Sequence, residues 1–588
     1  MRFESPINIY TRIRERWDND PLATLIPLIL FAVNAILMHA TFFPHFSDIN
    51  PWDEASYLYR GMLFIEEGGI PVFAANPLAT LFYGLTYLPF HSSPLWMILS
   101  SSLSRFVLFS LLWLAAYHVA REIRAYVPVP VMMGLMFITT LTMRTMHFPT
   151  DPLFASFAGF SFGYLLRYHN THRLPPLWMA SLMMGFAAMA RNDGVVLFPI
   201  LLVLVFIESI RARQVLPALL RILIPFVLLI GGYVGLYAIS TGEVDLGTAG
   251  RTYDAFEVGH LIIMEGLSEG EPVLQAAAAA RDIFGTPEEN NYNVFQAIRR
   301  APDVYLQRVI AVLKSTPMEF LIAYSRLAYL MPLLILRGWI ELLRRREYTL
   351  ALMFAAWPAH LVTSLITTII RQGHLTFPYY AAFGLSAIGL WALLDQLYRR
   401  PERWAWRLGL GAIVLFAILD NHPSTGIVFI LLWMTLEIVA GLQRHEIALH
   451  SPVTLLVLLA SGLILRGSYP QPIVPTLGEE PEEQALMVAS SALDPGETIA
   501  SASPGFAWAA RAGYIGLSGP DTPTGRSPQG FIEWLQSQRV RLVYVDPTLL
   551  EQSPSVWALL QAAPEGALSE RYASSDGTIR ILDVAPAN

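Results

Sequence analysis

Hydrophobic residues in this chain gather into long, nearly unbroken runs rather than the short periodic stripes of a water-soluble protein. Runs of about spanning length fall at 21–43, 94–119, 127–146, 152–167, 176–190, 195–209, 216–239, 316–336, 348–369, 375–397, 404–420, 424–441 and 449–466. They predict about thirteen helices facing a hydrocarbon layer about 30 Å thick. Residues 1–20 are polar and carry Arg2, Arg12, Arg14 and Arg16. No small-residue cleavage site follows, so the first run reads as an uncleaved anchor. Further arginines mark alternate connections: Arg121 and Arg124, Arg167 and Arg173, Arg211 and Arg213, Arg344 to Arg346, Arg399 and Arg400, and Arg444. An excess of positive charge marks the cytoplasmic side. The N-terminus and these connections are therefore predicted inside. The outer connections are then 44–93, 147–151, 191–194, 240–315, 370–374, 421–423 and everything after 467.

Two segments change character. In the first long outer loop, Ile49-Asn50-Pro51-Trp52-Asp53-Glu54-Ala55-Ser56-Tyr57-Leu58-Tyr59-Arg60 starts a helix. Asn50 suits the cap, Pro51 the first helical position, and Gly68-Gly69 the stop. Leu81–Phe90 follows; it is too short to span and predicts a re-entrant or interfacial helix. From 475 onward the pattern becomes that of a small α/β domain. Strands are predicted at Thr498–Ser503 and Arg541–Asp546, and helices at Pro528–Val540 and Pro554–Gln561. A hairpin of Leu568–Ala573 and Thr578–Val584 turns at Ser575-Asp576-Gly577. The predicted fold is a polytopic α-helical membrane protein with a small C-terminal α/β extracytoplasmic domain. Its division is a membrane body over 1–474, with outer loops 44–93 and 240–315, and a soluble domain over 475–588.

Composition sharpens this. The 588 residues are 54% hydrophobic and 14% charged, with mean hydropathy +0.46, whereas soluble domains carry about 25% charge. There is no cysteine, so disulfides, thiolate metal sites and cysteine nucleophiles are excluded. Lys314 follows Leu313, so no Walker A loop and no nucleotide site of that kind exists. Of the net charge of −7, the segment from Pro475 holds six arginines and fourteen acids, or −8, which leaves the body near +1.

The candidate chemistry sits at the outer ends of the predicted spans. Asp53 and Glu54 fall in the first turn of a helix emerging at the membrane surface; two acids there also complement a helix dipole. Asp151, before Pro152, is either a helix cap or a second acid meeting Asp53 across a cavity, directly or through a divalent cation, magnesium or manganese. Arg191-Asn192-Asp193-Gly194 joins two apolar runs. It is either a turn pair or a cation facing a cavity, since arginine at membrane depth is costly. Arg371 and His374 open another span from outside and suit a lipid phosphate or ordinary interfacial anchoring. Arg105 and Arg144 lie in or near spans without a nameable partner. Asp18-Asn19-Asp20 reads as a solvated helix start.

These motifs, in this order and on this side, resemble the GT-C superfamily of glycosyltransferases that use polyprenyl-phosphate sugars. Protein O-mannosyltransferases and bacterial aminoarabinose transferases are close relatives in layout. The resemblance rests on Asp53-Glu54 with Tyr57 three residues on, Asn76-Pro77-Leu78 before the re-entrant helix, Asp151, and Arg191–Gly194. Two departures stand out: the family often has His-Pro at Asn76-Pro77, and Arg-Tyr ahead of a proline where this chain has Arg371-Gln372-Gly373-His374. The resemblance implies transfer of a sugar from a polyprenyl phosphate to an acceptor hydroxyl in a bacterial cell envelope, with inversion. Asp53 is then the general base, Glu54 and Asp151 its partners, and Asp53 and Asp151 the ligands of any divalent cation. Arg371, His374, Arg191 and Arg60 are the donor-phosphate cations, and Tyr57 and Asn76 line the cavity. Membrane lipid and a lipid, glycan or protein acceptor are the implied partners, and no nucleotide cofactor is needed because the lipid phosphate is already a good leaving group. The competing classes are a lipid or glycan transporter, which calls for inverted repeats that the sequence lacks, and a non-catalytic subunit of an envelope-assembly complex.

Overall fold

A computed structural model describes residues 45–68, 76–123, 150–241, 249–265, 280–323, 330–360, 379–399, 477–494, 496–518 and 522–586. The protein is mostly helical, with a C-terminal mixed sheet. The body's helices are α1 (Asp53–Glu66), α2 (Pro77–Tyr87), α3 (Trp96–Glu122), α4 (Thr150–Thr171), α5 (Pro175–Ala190), α6 (Asp193–Arg211) and α7 (Val215–Thr241). They continue with α8 (Ala249–Glu265), α9 (Val294–Arg300), α10 (Pro302–Ala323), α11 (Leu330–Arg344), α12 (Tyr348–Ala356) and α13 (Tyr379–Arg399). Among the described residues, Trp96–Glu122, Asp193–Arg211 and Val215–Ser240 are long and apolar enough to cross a membrane. α7 leaves Leu216, Leu220, Leu228 and Ile239 exposed, an apolar face of the kind that lipid covers.

Several runs appear where the sequence places them. Predicted 94–119, 152–167, 176–190, 195–209, 216–239 and 375–397 correspond to α3, α4, α5, α6, α7 and α13. The run 316–336 is covered by α10 up to Ala323 and by α11 from Leu330, with 324–329 outside the described residues. One run differs. The run 348–369 ends as α-helix at Ala356, and Trp357–His360 forms a 3₁₀ turn containing Pro358, which cannot continue the i to i−4 ladder. The runs 21–43, 127–146, 404–420, 424–441 and 449–466 lie outside the described residues.

α4 packs between α5 and α3, and α5 also packs on α7. α1 crosses α2 at a glycine contact. A Cβ on Gly61 would lie 2.5 Å from the Gly84 amide nitrogen, and one on Gly84 would lie 3.0 Å from the Gly61 carbonyl oxygen. Only residues without a side chain allow backbones to approach so closely. α1 stops where expected, at Gly68, whose φ of +67° is the left-handed conformation.

The C-terminal region adds α14 (Pro481–Ala492), β1 (Thr498–Ser501), α15 (Pro504–Ala509), β2 (Gly513–Gly516), α16 (Pro528–Ser537), β3 (Val540–Val545), α17 (Pro547–Gln552), α18 (Pro554–Gln561), β4 (Leu568–Ala573) and β5 (Arg580–Val584). The sheet order is β2-β1-β3-β5-β4, with β2, β1 and β3 parallel and β5 antiparallel to both its neighbours. β3 is central and nearly all buried, as its Val-Arg-Leu-Val-Tyr-Val sequence predicts. The predicted hairpin closes at Gly577, φ +71°, with the Asp576 carboxylate accepting from the Thr578 amide. β2 has no counterpart in the sequence reading: Gly-Tyr-Ile-Gly is short, and its two glycines disfavour a strand.

One hydrophobic core runs through both parts. It joins Trp96, Tyr57 and Tyr83 of the body to Phe506, Tyr544, Leu486 and Ile581 of the C-terminal region. A second core, around Phe531, Leu535, Val543 and Val556, belongs to the far side of the sheet. The contact between the parts is specific. Trp508 stacks on Tyr59 at 5.4 Å and 9°. The Trp96 indole N–H donates to the Ala509 carbonyl at 2.9 Å. Arg511 pairs with Glu66 at 3.1 Å.

Candidate functional site

The start of α1 is built from Asn50. Its side-chain oxygen accepts from the amides of Trp52 at 3.0 Å and Asp53 at 2.9 Å, and its carbonyl accepts from Ala55. The helix thus begins at Asp53 with Trp52 at the cap position, not at Pro51 after an Asn50 cap; Asn50 instead holds the turn that leads into the helix. Asp53 is held at the mouth of the first turn and is half-buried.

Neighbouring helical positions point about 100° apart, so Asp53 and Glu54 diverge. Glu54 turns into the protein. Its carboxylate accepts from Arg105 Nε at 3.1 Å and Nη2 at 2.8 Å, and from Ser101 Oγ at 2.5 Å. Arg105 Nη2 also donates to the Asp48 carbonyl at 3.0 Å. Both side chains are almost fully buried, at 6% and 1% exposed. This gives Arg105, the arginine inside the apolar α3 run, the counter-ion that its burial requires. It also ties α1 to α3.

Asp151 begins α4 and is buried. Arg191 Nη1 lies 2.5 Å from Asp151 Oδ1, while Arg191 Nε binds Asp193. One guanidinium therefore joins α4 to the turn between α5 and α6, and the two alternatives for Arg191 coexist. Asp53 lies within electrostatic reach of Asp151, and Tyr57 within reach of Arg191. On the same side, the Tyr57 hydroxyl accepts from Asn76 Nδ2 at 2.6 Å, and the Arg60 guanidinium lies over the Tyr57 ring at 5.6 Å. Asp53, Tyr57, Asn76, Arg60, Asp151, Arg191 and Asp193 are thus assembled from α1, α2, α4 and the α5–α6 turn. Arg371, His374, Arg144 and Asp18–Asp20 lie outside the described residues.

Two features escaped the sequence reading. Asp193 shares Arg191 with Asp151; the Arg-Asn-Asp spacing offered that pairing, but only the fold adds the third member. Further away, His45 Nδ1 lies 3.3 Å from Glu480 Oε1 and 3.3 Å from Glu483 Oε1, linking the first loop to α14. Nothing in the local sequence relates residues 438 positions apart.

The whole architecture has a counterpart among solved structures. The crystal structure of ArnT from Cupriavidus metallidurans bound to undecaprenyl phosphate matches over 95% of this chain and 99% of that one, at TM-score 0.53 and 15% identity. The fold is GT-C-like. The apo structure of the same ArnT matches equally well, at TM-score 0.53 and 13% identity. Archaeal oligosaccharyltransferase AglB from Archaeoglobus fulgidus, in complex with an inhibitory peptide and a dolichol-phosphate, matches at TM-score 0.46 and 12% identity, over 97% of this chain and 75% of that one. No family model matches the sequence, and no curated protein does. A GT-C-like fold with about thirteen membrane spans is what the sequence predicts; three helices long and apolar enough to span lie among the described residues.

Proposed function

We infer that this GT-C-like chain is an inverting membrane glycosyltransferase. It moves a sugar from a polyprenyl-phosphate donor to an acceptor hydroxyl at the outer face of the cytoplasmic membrane. The observation that carries the reading is the Asp53–Asp151–Arg191 assembly at the helix ends of a chain that shares its fold, end to end, with a protein crystallised bound to undecaprenyl phosphate.

The chemistry follows from the residues. Asp53 takes the proton of the acceptor hydroxyl. That oxygen forms a bond to the anomeric carbon from the face opposite the phosphate. The bond between the anomeric carbon and the phosphate oxygen breaks, and the polyprenyl phosphate leaves with the electron pair. Cations stabilise the departing charge; Arg371, His374 and Arg60 fill that role. Asp151 and Arg191 position the wall facing Asp53. Glu54, held by Arg105, fixes α1 and does not touch substrate. A magnesium or manganese ion between Asp53 and Asp151 fits poorly: the Arg191 guanidinium already neutralises Asp151 at 2.5 Å and would repel a dication. The region from 475 lies outside the membrane and shapes acceptor access.

The test is transfer of radiolabelled sugar from a panel of polyprenyl-phosphate donors by purified protein in detergent. Wild type transfers from at least one donor. Asp53→Asn loses about 10²–10⁴ in rate while keeping its thermal midpoint. Undiminished transfer by folded Asp53→Asn removes Asp53 from the mechanism.

A further inference from the structure

The contact between His45 and α14 has an unusual geometry for a salt bridge. A single ring nitrogen, Nδ1, is equidistant from two carboxylate oxygens, 3.3 Å from Oε1 of Glu480 and 3.3 Å from Oε1 of Glu483. That nitrogen carries one proton or one lone pair, so it cannot form good hydrogen bonds to both. A charge-assisted N–H···O⁻ bond would in any case close to about 2.7–2.9 Å. Two donors bound tetrahedrally to one ion at about 2.05 Å are instead separated by about 3.3 Å, which follows from the zinc–ligand lengths and the tetrahedral angle. All three donor atoms lie within 4.8 Å of one another.

The donors are also held in place. The His45 amide donates to Asp48 Oδ2 at 3.1 Å and its carbonyl accepts from the Asp48 amide at 3.0 Å. Glu483 is fully buried, and its second oxygen accepts from the Gly478 amide at 2.5 Å. Such outer contacts orient metal ligands. Asp48 and Glu482 add negative charge within reach of Glu480, so the cluster carries more acid than one imidazolium can balance. A mixed nitrogen and carboxylate set suits zinc, whereas magnesium and calcium favour all-oxygen sites. The cluster lies beside the Phe46–Phe506 edge contact, at the seam between the first loop and the C-terminal region.

The geometry points to a zinc-class divalent-cation site formed by His45, Glu480 and Glu483, which clamps the C-terminal region to the loop carrying α1. The fourth position goes to water. The site is separate from Asp53 and does not depend on the glycosyltransferase reading.

The experiment uses full-length protein in detergent, stripped with a chelator and dialysed against zinc, magnesium or calcium chloride. Elemental analysis and thermal unfolding followed by tryptophan fluorescence give the two readouts. Wild type retains one zinc per chain, its unfolding midpoint rises with zinc, and magnesium and calcium do neither. His45→Ala and Glu483→Gln lose the zinc and the shift. Glu480→Gln, at the more exposed ligand, weakens zinc retention at least tenfold and covers the case in which the buried variants fail to fold. Asp53→Asn keeps its zinc. A wild-type midpoint indifferent to zinc, or zinc retention unchanged in Glu480→Gln, overturns the site.

Discussion

Removing Glu54 tests whether the two adjacent acids of α1 have different jobs. In Glu54→Leu the Arg105 guanidinium keeps its burial and the Asp48 carbonyl but loses both carboxylate bonds and their charge. Leaving one member of a buried pair uncompensated costs about 3–5 kcal/mol. At about 1.4 kcal/mol per factor of ten, that lowers the ratio of folded to unfolded protein by at least about a hundredfold. Glu54→Gln keeps an acceptor for Ser101 and one Arg105 nitrogen, and so falls at the lower end of that range. In the double variant Glu54→Leu with Arg105→Leu no buried charge is left unpaired. Replacing an ion pair with apolar groups is often close to neutral, so the double variant should recover most of the loss. The assay is a double-mutant cycle on detergent-solubilised protein, read as thermal midpoint and as resistance to denaturant, with sugar transfer measured on whatever remains folded. Stability in Glu54→Leu equal to wild type, or a double variant no better than Glu54→Leu alone, refutes the structural role. Loss of transfer in a fully stable Glu54→Gln protein would move Glu54 to the chemistry.

Three further outcomes are expected. Burial, with the charge of Arg308 nearby, lowers the His260 pKa to about 4, so between there and the ordinary 6.5 the unfolded chain binds a proton that the folded chain refuses. Stability should be full above pH 6.5 and fall by at most about 3 kcal/mol toward pH 4, and His260→Phe should flatten that slope in pH-dependent unfolding. Gly61→Ala sets a methyl group 2.5 Å from the Gly84 amide nitrogen and should cost about 1–3 kcal/mol; a thermal midpoint equal to wild type counts against the α1–α2 crossing. A reporter active only outside the cytoplasm, fused after the C-terminal residue, should light up, and activity of a cytoplasm-only reporter there would reverse the assigned sidedness.

The C-terminal region shares its packing with the start of α1. Its acidic composition and switch to α/β pattern mark it as a separate unit in the sequence, and its sheet bears that pattern out. Yet α15 packs directly on α1, with Gly505 against Pro51 and Trp508 on Tyr59. Cutting the chain after Ser468 would therefore bare the helix that carries Asp53, so acceptor transfer and donor binding are both expected to suffer.

The sequence by itself determined what depends on local physics. Long apolar runs place helices because an unpaired backbone cannot sit in hydrocarbon. Asn50 holds the turn that leads into α1 and Gly68 ends the helix, because amides at a helix start need an acceptor and a left-handed residue needs no Cβ. β-branched residues placed β3, and the Ser575-Asp576-Gly577 turn placed the β4–β5 hairpin. Tertiary structure alone decided which charges meet. Glu54 and Asp53 are adjacent in the chain yet diverge, one into Arg105 of α3 and the other half-buried at the helix mouth, within electrostatic reach of Asp151. Arg191, besides its turn partner Asp193, meets Asp151, forty residues away. His45 faces two glutamates from the opposite end of the chain. Buried charges must find partners within a few ångströms, but where those partners come from depends on how helices cross. That is set by contacts such as Gly61 against Gly84, whose effect is felt only once both helices are in place.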